Sequence, residues 1–359
     1  MAVETGVNAA SAAGRAARVA HVDYVADEQT ERADAVSFLS EVLSDPFNLA
    51  VVLTSGAVVV VGLLAYLAIR PTIEDIVVLR ETLAGYGDLV PWMLRLSAGL
   101  PLIGAGFQGY LFAPTAGFDV AANPALRLLF IGLGFTLLFG LATRTVAAVG
   151  IAAYAWSLTA DLSVVLAVEY VPILLSLVVL GAGRPSADDM LLAVAAAEGT
   201  YYGRIDPVHR FKRRVDAVVR RFERFVPVVL RVGMGVSFVY LGAVQKLASP
   251  ASALSVVERY GLTAVVPVDP GLWVLGAGVA EIAVGVALVV GAFTRGAAAV
   301  SFGLFTLTLF GLPDDPVLAH VALFGLASAV FTLGAGPLSF DNRFGRPALR
   351  PSESAVSTD

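Results

Sequence analysis

From residue 47 onward the chain alternates long apolar runs with short polar or charged turns. A helix needs roughly 20 apolar residues to cross the hydrocarbon of a bilayer. That ruler marks about nine candidate spans, at 47–69, 91–113, 124–141, 145–159, 162–183, 226–246, 271–292, 296–312 and 317–334. Helices are expected throughout, because lipid offers no hydrogen-bonding partner to an open strand edge. The first 46 residues are polar and acidic, without a basic start leading into an apolar core. They predict a disordered tail rather than a cleavable signal.

The polar punctuation repeats. Arg95-x3-Gly99-x6-Gly106-x4-Leu111-x2-Pro114 matches Arg231-x3-Gly235-x6-Gly242-x4-Leu247-x2-Pro250 at a constant offset of 136. Further on, Gly134, Gly140 and Thr143-Arg144 match Gly285, Gly291 and Thr294-Arg295, now at an offset of 151. Gly181-Ala182-Gly183 then matches Gly334-Ala335-Gly336. Each copy holds four spans, an even number, so the copies are parallel repeats, unlike the inverted repeats of many transporters. The expected fold is an all-α polytopic membrane protein with two tandem four-helix bundles. Its parts are the tail (1–46), a leading helix and linker (47–90), a first bundle (91–189), a basic linker with an amphipathic helix (190–226), a second bundle (227–340) and a tail (341–359).

Composition agrees: 57% hydrophobic and 15% charged residues, with a mean hydropathy of +0.80, lie outside the soluble range. The net charge of −5 resides in tails and loops. No basic nucleic-acid surface is evident, so the expected surroundings are membrane lipids and not nucleic acid. The chain has no cysteine, which excludes a disulfide relay, a Cys-ligated cluster and a Cys-attached haem within it. Of His21, His209 and His320 only the last lies in a span. No haem, iron–sulfur cluster or metal is therefore expected, and any redox role requires an organic carrier or a partner subunit.

The most basic connection is 184–224, and by the positive-inside rule it is cytoplasmic. Counting spans outward puts Arg80, Arg144, Arg295 and Arg343 on the same side, with Asp119, Asp161, Asp314 and Asp315 in outer turns. The N-terminus then faces outward and the C-terminus the cytoplasm. Phe211, Val215, Val218, Val219, Phe222 and Phe225 recur at helical spacing against arginines. That pattern is an amphipathic helix on the inner leaflet, which either fixes orientation or docks a partner.

Glu281 sits in the middle of an apolar run. A charge at that depth costs several kcal/mol unless neutralised or paired. It reads either as a proton-handling group, the catalytic candidate, or as a protonated carboxyl in an interhelical hydrogen bond. Lys246 ends the preceding span, as a snorkelling lysine or as a partner for an anionic ligand. The depth difference argues against a direct Lys246–Glu281 pair. His320, in the first turn of the last span, is a structural histidine or a proton acceptor near the outer face. In the first copy Tyr110 and Phe130 replace Lys246 and Glu281, while Glu169 stands where the second has His320. The first copy therefore reads mainly as a packing partner. In the outer loop of the second, 251–260 reads as a short amphipathic helix, which either covers a lateral opening or closes the bundle.

The second copy carries Arg231, Gly235, Phe238, Gly242 and Lys246 on its first helix, then Glu281, Gly285 and Gly291, closing with Thr294-Arg295. In these residues it resembles the DoxX/DoxD family of four-helix membrane proteins, over approximately 227–347 and more weakly over 92–189. That family includes a subunit associated with thiosulfate:quinone oxidoreductase. The resemblance implies a quinone-associated membrane subunit acting with a redox partner, its quinone held between Glu281, Lys246 and His320. Two other classes stay open. One is a small-solute or lipid permease with Glu281 as proton-coupling group; the other is a non-catalytic scaffold.

Overall fold

The structure, a computed structural model, describes residues 35–69, 73–205 and 208–344. Helices begin where proline or a polar residue can take the first turn and stop where glycine turns left-handed. Pro91, Pro124, Pro227, Pro250 and Pro270 occupy first-turn positions, where a missing N–H costs nothing. The leading elements are α1 (Ala35–Ser44), α2 (Pro46–Ile69) and α3 (Glu74–Ala84). The first bundle is α4 (Val90–Gln108), α5 (Pro124–Phe139), α6 (Thr143–Ala160) and α7 (Tyr170–Leu180). The linker holds α8 (Ala187–Ala196), α9 (Tyr201–Ile205) and α10 (Val208–Glu223). The second bundle is α11 (Val226–Tyr240), α13 (Pro270–Val290), α14 (Thr294–Gly311) and α15 (Val317–Leu333), with α12 (Pro250–Arg259) in its loop and α16 (Phe340–Phe344) after it.

Four stretches among the described residues are helical, long and apolar enough to cross a membrane: Pro46–Ile69, Gly87–Gln108, Val226–Leu247 and Pro270–Val290. Pro124–Phe139, Tyr170–Leu180 and Val317–Leu333 are apolar but shorter. The span expected over 162–183 is broken. A 3₁₀ segment, Leu162–Ala167, precedes an 11-residue helix, because the Asp161 carboxylate accepts from Ser163 N at 2.8 Å and tightens the turn. The tail expected to be disordered over 1–46 also needs correcting at its end. Phe38 and Val42, one turn apart on α1, bury against Ala253, Val257, Val274 and Leu275 of the second bundle. Residues 1–34 lie outside the described residues.

The two bundles build the same joints at corresponding positions. Arg95 is buried and donates to Leu137 O, Leu138 O, Ala182 O and Pro185 O. Arg231, equally buried, donates to Leu288 O, Val289 O, Ala335 O and Leu338 O. Each guanidinium thus satisfies the orphan carbonyls at a helix C-terminus, where the helix dipole also favours a cation. Asp188 accepts from Ala142 N and Thr143 N, and Asp341 from Phe293 N and Thr294 N, capping α6 and α14. The bundles meet through α4 on α15 and α11 on α7. Small residues allow it: Gly325 faces Ser97, and Gly233 faces Pro172. Arginines 95, 144, 231 and 295 mark one end of both bundles, the basic end; Asp119, Asp161, Asp269 and Asp314 mark the other, the acidic end.

Candidate functional site

α11 runs toward the acidic end and widens there into a π-turn, Leu241–Leu247. Ala248 N donates to Ala243 O, five residues back, at 2.9 Å. Such single π-turns recur at functional sites. Below the turn α11 crosses α13 at very short range: a Cβ on Gly235 would lie 2.6 Å from Gly285 O. Within the turn, Gly242 lies against Gly278 and Glu281 of α13.

This crossing brings Lys246 to Glu281. The lysine Nζ donates to both carboxylate oxygens, each at 2.7 Å. The two side chains are only 15% and 17% exposed. The depth argument against a direct pair therefore fails, for a geometric reason. The glycine contacts place residue 246 level with about residue 274, roughly 10 Å above Glu281 at 1.5 Å per residue. Side chains on a helix lean toward its N-terminus. On antiparallel helices that leans Lys246 down and Glu281 up, so the two long chains close the distance.

His320 engages a different acid. Its Nε2 is 3.4 Å from Asp315 Oδ2, and its Nδ1 is 3.4 Å from Pro316 O. Both side chains are buried, at 1% and 0% exposure. Both ring nitrogens face acceptors, so a single ring proton answers only one of them. The ring edge packs on Phe305, which stacks in turn on Phe238 of α11 at 5.3 Å. The sequence places Asp315 only in an outer turn, and its role was missed. The spacing Asp-x4-His across a helix start was the available signal.

The corresponding region of the first bundle is aromatic. Phe112 packs edge-on against Phe130, Tyr154 and Tyr170, with ring centroids 5.0–5.1 Å apart. Tyr110 is buried in the same core. Glu169 is buried directly before α7, near Tyr154, whose hydroxyl donates to Val164 O at 3.1 Å. Apolar rings fill the space that an ion pair occupies in the second bundle.

Residues 226–314 match the DoxX family model. The second bundle carries a DoxX domain. The matched stretch holds Arg231, Lys246, Glu281 and Asp314, and it stops just before Asp315 and His320. No curated protein and no solved structure matches the chain. With its long apolar helices and this DoxX match over 226–314, the chain is a membrane protein.

The acidic end of the DoxX domain is closed by α12, which buries Val256 and Val257. Tyr260, just after α12, donates its hydroxyl to Asp314 Oδ2 at 2.8 Å, and Arg259 Nη2 lies 3.4 Å from the same oxygen. Asp314 thus latches the flap from outside while Asp315 reaches His320 from inside. Burial and the Asp314 hydrogen bond push the Tyr260 phenol up from 10.0 to about 12. A raised acid is protonated in the fold, so the latch is complete below pH 10.0 and is lost as pH rises through about 12. The difference absorbance titration between the native chain and Tyr260→Phe is expected to show one phenol ionising near pH 12. Ionisation at the ordinary value would dismiss the latch.

Proposed function

We propose that this DoxX protein is a quinone-associated redox subunit of the membrane, acting with a partner that supplies electrons. The observation that carries the reading is the Lys246–Glu281 pair, closed at 2.7 Å within apolar helices and still touchable at 15–17% exposure. The residues fit such a ligand. Lysine has three N–H donors, and Glu281 accounts for two contacts among the described residues, which leaves one donor for a carbonyl oxygen. A bound quinone supplies two-electron, two-proton acceptor chemistry. Lys246 orients an acceptor oxygen and stabilises negative charge developing on it. Glu281 holds and releases protons at its carboxylate. Asp315 and His320 form a second proton-holding pair toward the acidic end, and α12 excludes water from above. With no cysteine in the chain, the electrons come from the partner. The basic end faces the cytoplasm in this reading, as the positive-inside rule directs.

The test is extraction in mild detergent followed by chromatographic measurement of retained quinone. The native chain should retain it near one per chain. A buried hydrogen bond to a charged group is worth about 1.5–3 kcal/mol, so Lys246→Met should cut retention by about tenfold or more. Absence of quinone overturns the reading. Proton-coupled flux in vesicles would then favour a permease, and a stable partner without flux a scaffold.

A further inference from the structure

A second site is built toward the opposite, basic end, between α14 and α15. Ala299, Phe302, Ser328, Phe331 and Thr332 line an open groove of about 410 Å³. Its hydroxyls are spent within the helix: Ser328 Oγ donates to Phe324 O and Thr332 Oγ1 to Ser328 O, both at 2.8 Å. The groove therefore presents hydrocarbon.

Its mouth presents positive charge. Arg295 donates through Nε to Phe331 O at 2.9 Å and through Nη2 to Thr332 O at 3.0 Å, so the groove's own backbone holds the guanidinium at one end. Nη1 makes no hydrogen bond among the described residues. α3 packs on α15, and this brings Arg80 close enough for its charge to act on Arg295. Asp341 is the carboxylate in range, but its two oxygens already accept from Phe293 N and Thr294 N. Tyr66 packs edge-on against Phe293 at 4.9 Å, so the exposed apolar helix α2 flanks the mouth. Two neighbouring cations at one end of an apolar groove call for an anion that carries a hydrocarbon tail. Basic pockets between membrane helices recognise anionic headgroups in this way.

We propose that this groove binds an anionic phospholipid, with its phosphate between Arg80 and Arg295 and an acyl chain along Phe302 and Phe331. The site is separate from the Lys246–Glu281 pair and does not rest on the quinone reading.

The test uses the full chain, purified in mild detergent and stripped of lipid. Thermal unfolding is followed while phosphatidylglycerol, phosphatidylcholine or free glycerol phosphate is added. Phosphatidylglycerol should raise the unfolding temperature, and the other two should not. Arg295 is tied into the backbone, so the variants are Arg80→Gln, which is exposed, and Ala299→Trp, which fills the groove. Loss of one surface cation should raise the half-saturating lipid concentration about fivefold, and the tryptophan should abolish the shift. Equal stabilisation by phosphatidylcholine would overturn the proposal, as would equal stabilisation by glycerol phosphate. So would a phosphatidylglycerol response unchanged in both variants.

Discussion

Replacing Lys246 by methionine is expected to destabilise the protein by about 3 kcal/mol or more, because it strands the Glu281 carboxylate among apolar helices. The pair itself contributes far less, since the attraction between its members is largely offset by the cost of desolvating both. The double variant Lys246→Met/Glu281→Leu should therefore recover most of the loss. Glu281→Gln keeps an acceptor for the lysine but removes the countercharge, and it should fall between the two. Unfolding each variant in mixed micelles gives the coupling energy directly as a double-mutant cycle. Strong coupling with a near-native double variant means that the pair is kept for chemistry and not for stability. Additive losses would mean that the two side chains act independently, as a snorkelling lysine and a neutral acid would, and the proposed quinone site would lose its foundation.

Much of the architecture is legible in the sequence because hydrocarbon leaves few options. Once lipid enforces helices, apolar runs and their proline starts locate most elements, and the repeated Arg and Gly positions locate the joints. Arg95 and Arg231 stand out in the sequence as matched positions of the repeat. Their role is larger, since each ties four carbonyls of its bundle together. What a run of apolar letters does not encode is the axial stagger between neighbouring helices. Even at the register the glycines set, Lys246 and Glu281 differ in depth by roughly 10 Å at 1.5 Å per residue. The glycine crossings and opposed side-chain lean bring them together. The same limit hid Asp315. Next to Asp314 it reads as half of an exposed acidic turn, yet one carboxylate latches Tyr260 and the other points inward to His320. For α1, composition misled. The acidic residues before it set the tone of the tail, while four apolar residues at helical spacing, Phe38, Leu39, Val42 and Leu43, were enough to dock it.

The second large effect is expected at the glycines that set this stagger. A Cβ on Gly235 would stand 2.6 Å from Gly285 O and 3.0 Å from Val289 N. On Gly285 it would stand 2.7 Å from Gly235 O and 2.9 Å from Val239 N. The obstacles are backbone atoms on both sides, so no rotamer change relieves them, and α11 and α13 must separate. Overpacking of this kind costs about 1–3 kcal/mol, and a backbone-on-backbone clash belongs at the upper limit. Gly276 and Gly303 are the controls, because nothing lies within 4 Å of an added Cβ at either. Alanine there should be neutral or stabilising by up to about 1 kcal/mol through helix propensity. Gly242→Ala separates stability from function most sharply. Its Cβ would meet Gly278 O at 2.5 Å and the Glu281 Cβ at 3.1 Å, one turn before Lys246. Wedging the helices apart at that point stretches the ion pair while the Gly235–Gly285 crossing still holds below. The variant should therefore lose quinone retention more completely than it loses stability, whereas Gly235→Ala should lose stability first. If Gly242→Ala and Gly276→Ala behaved alike in both assays, the close crossing would have no part in holding the pair.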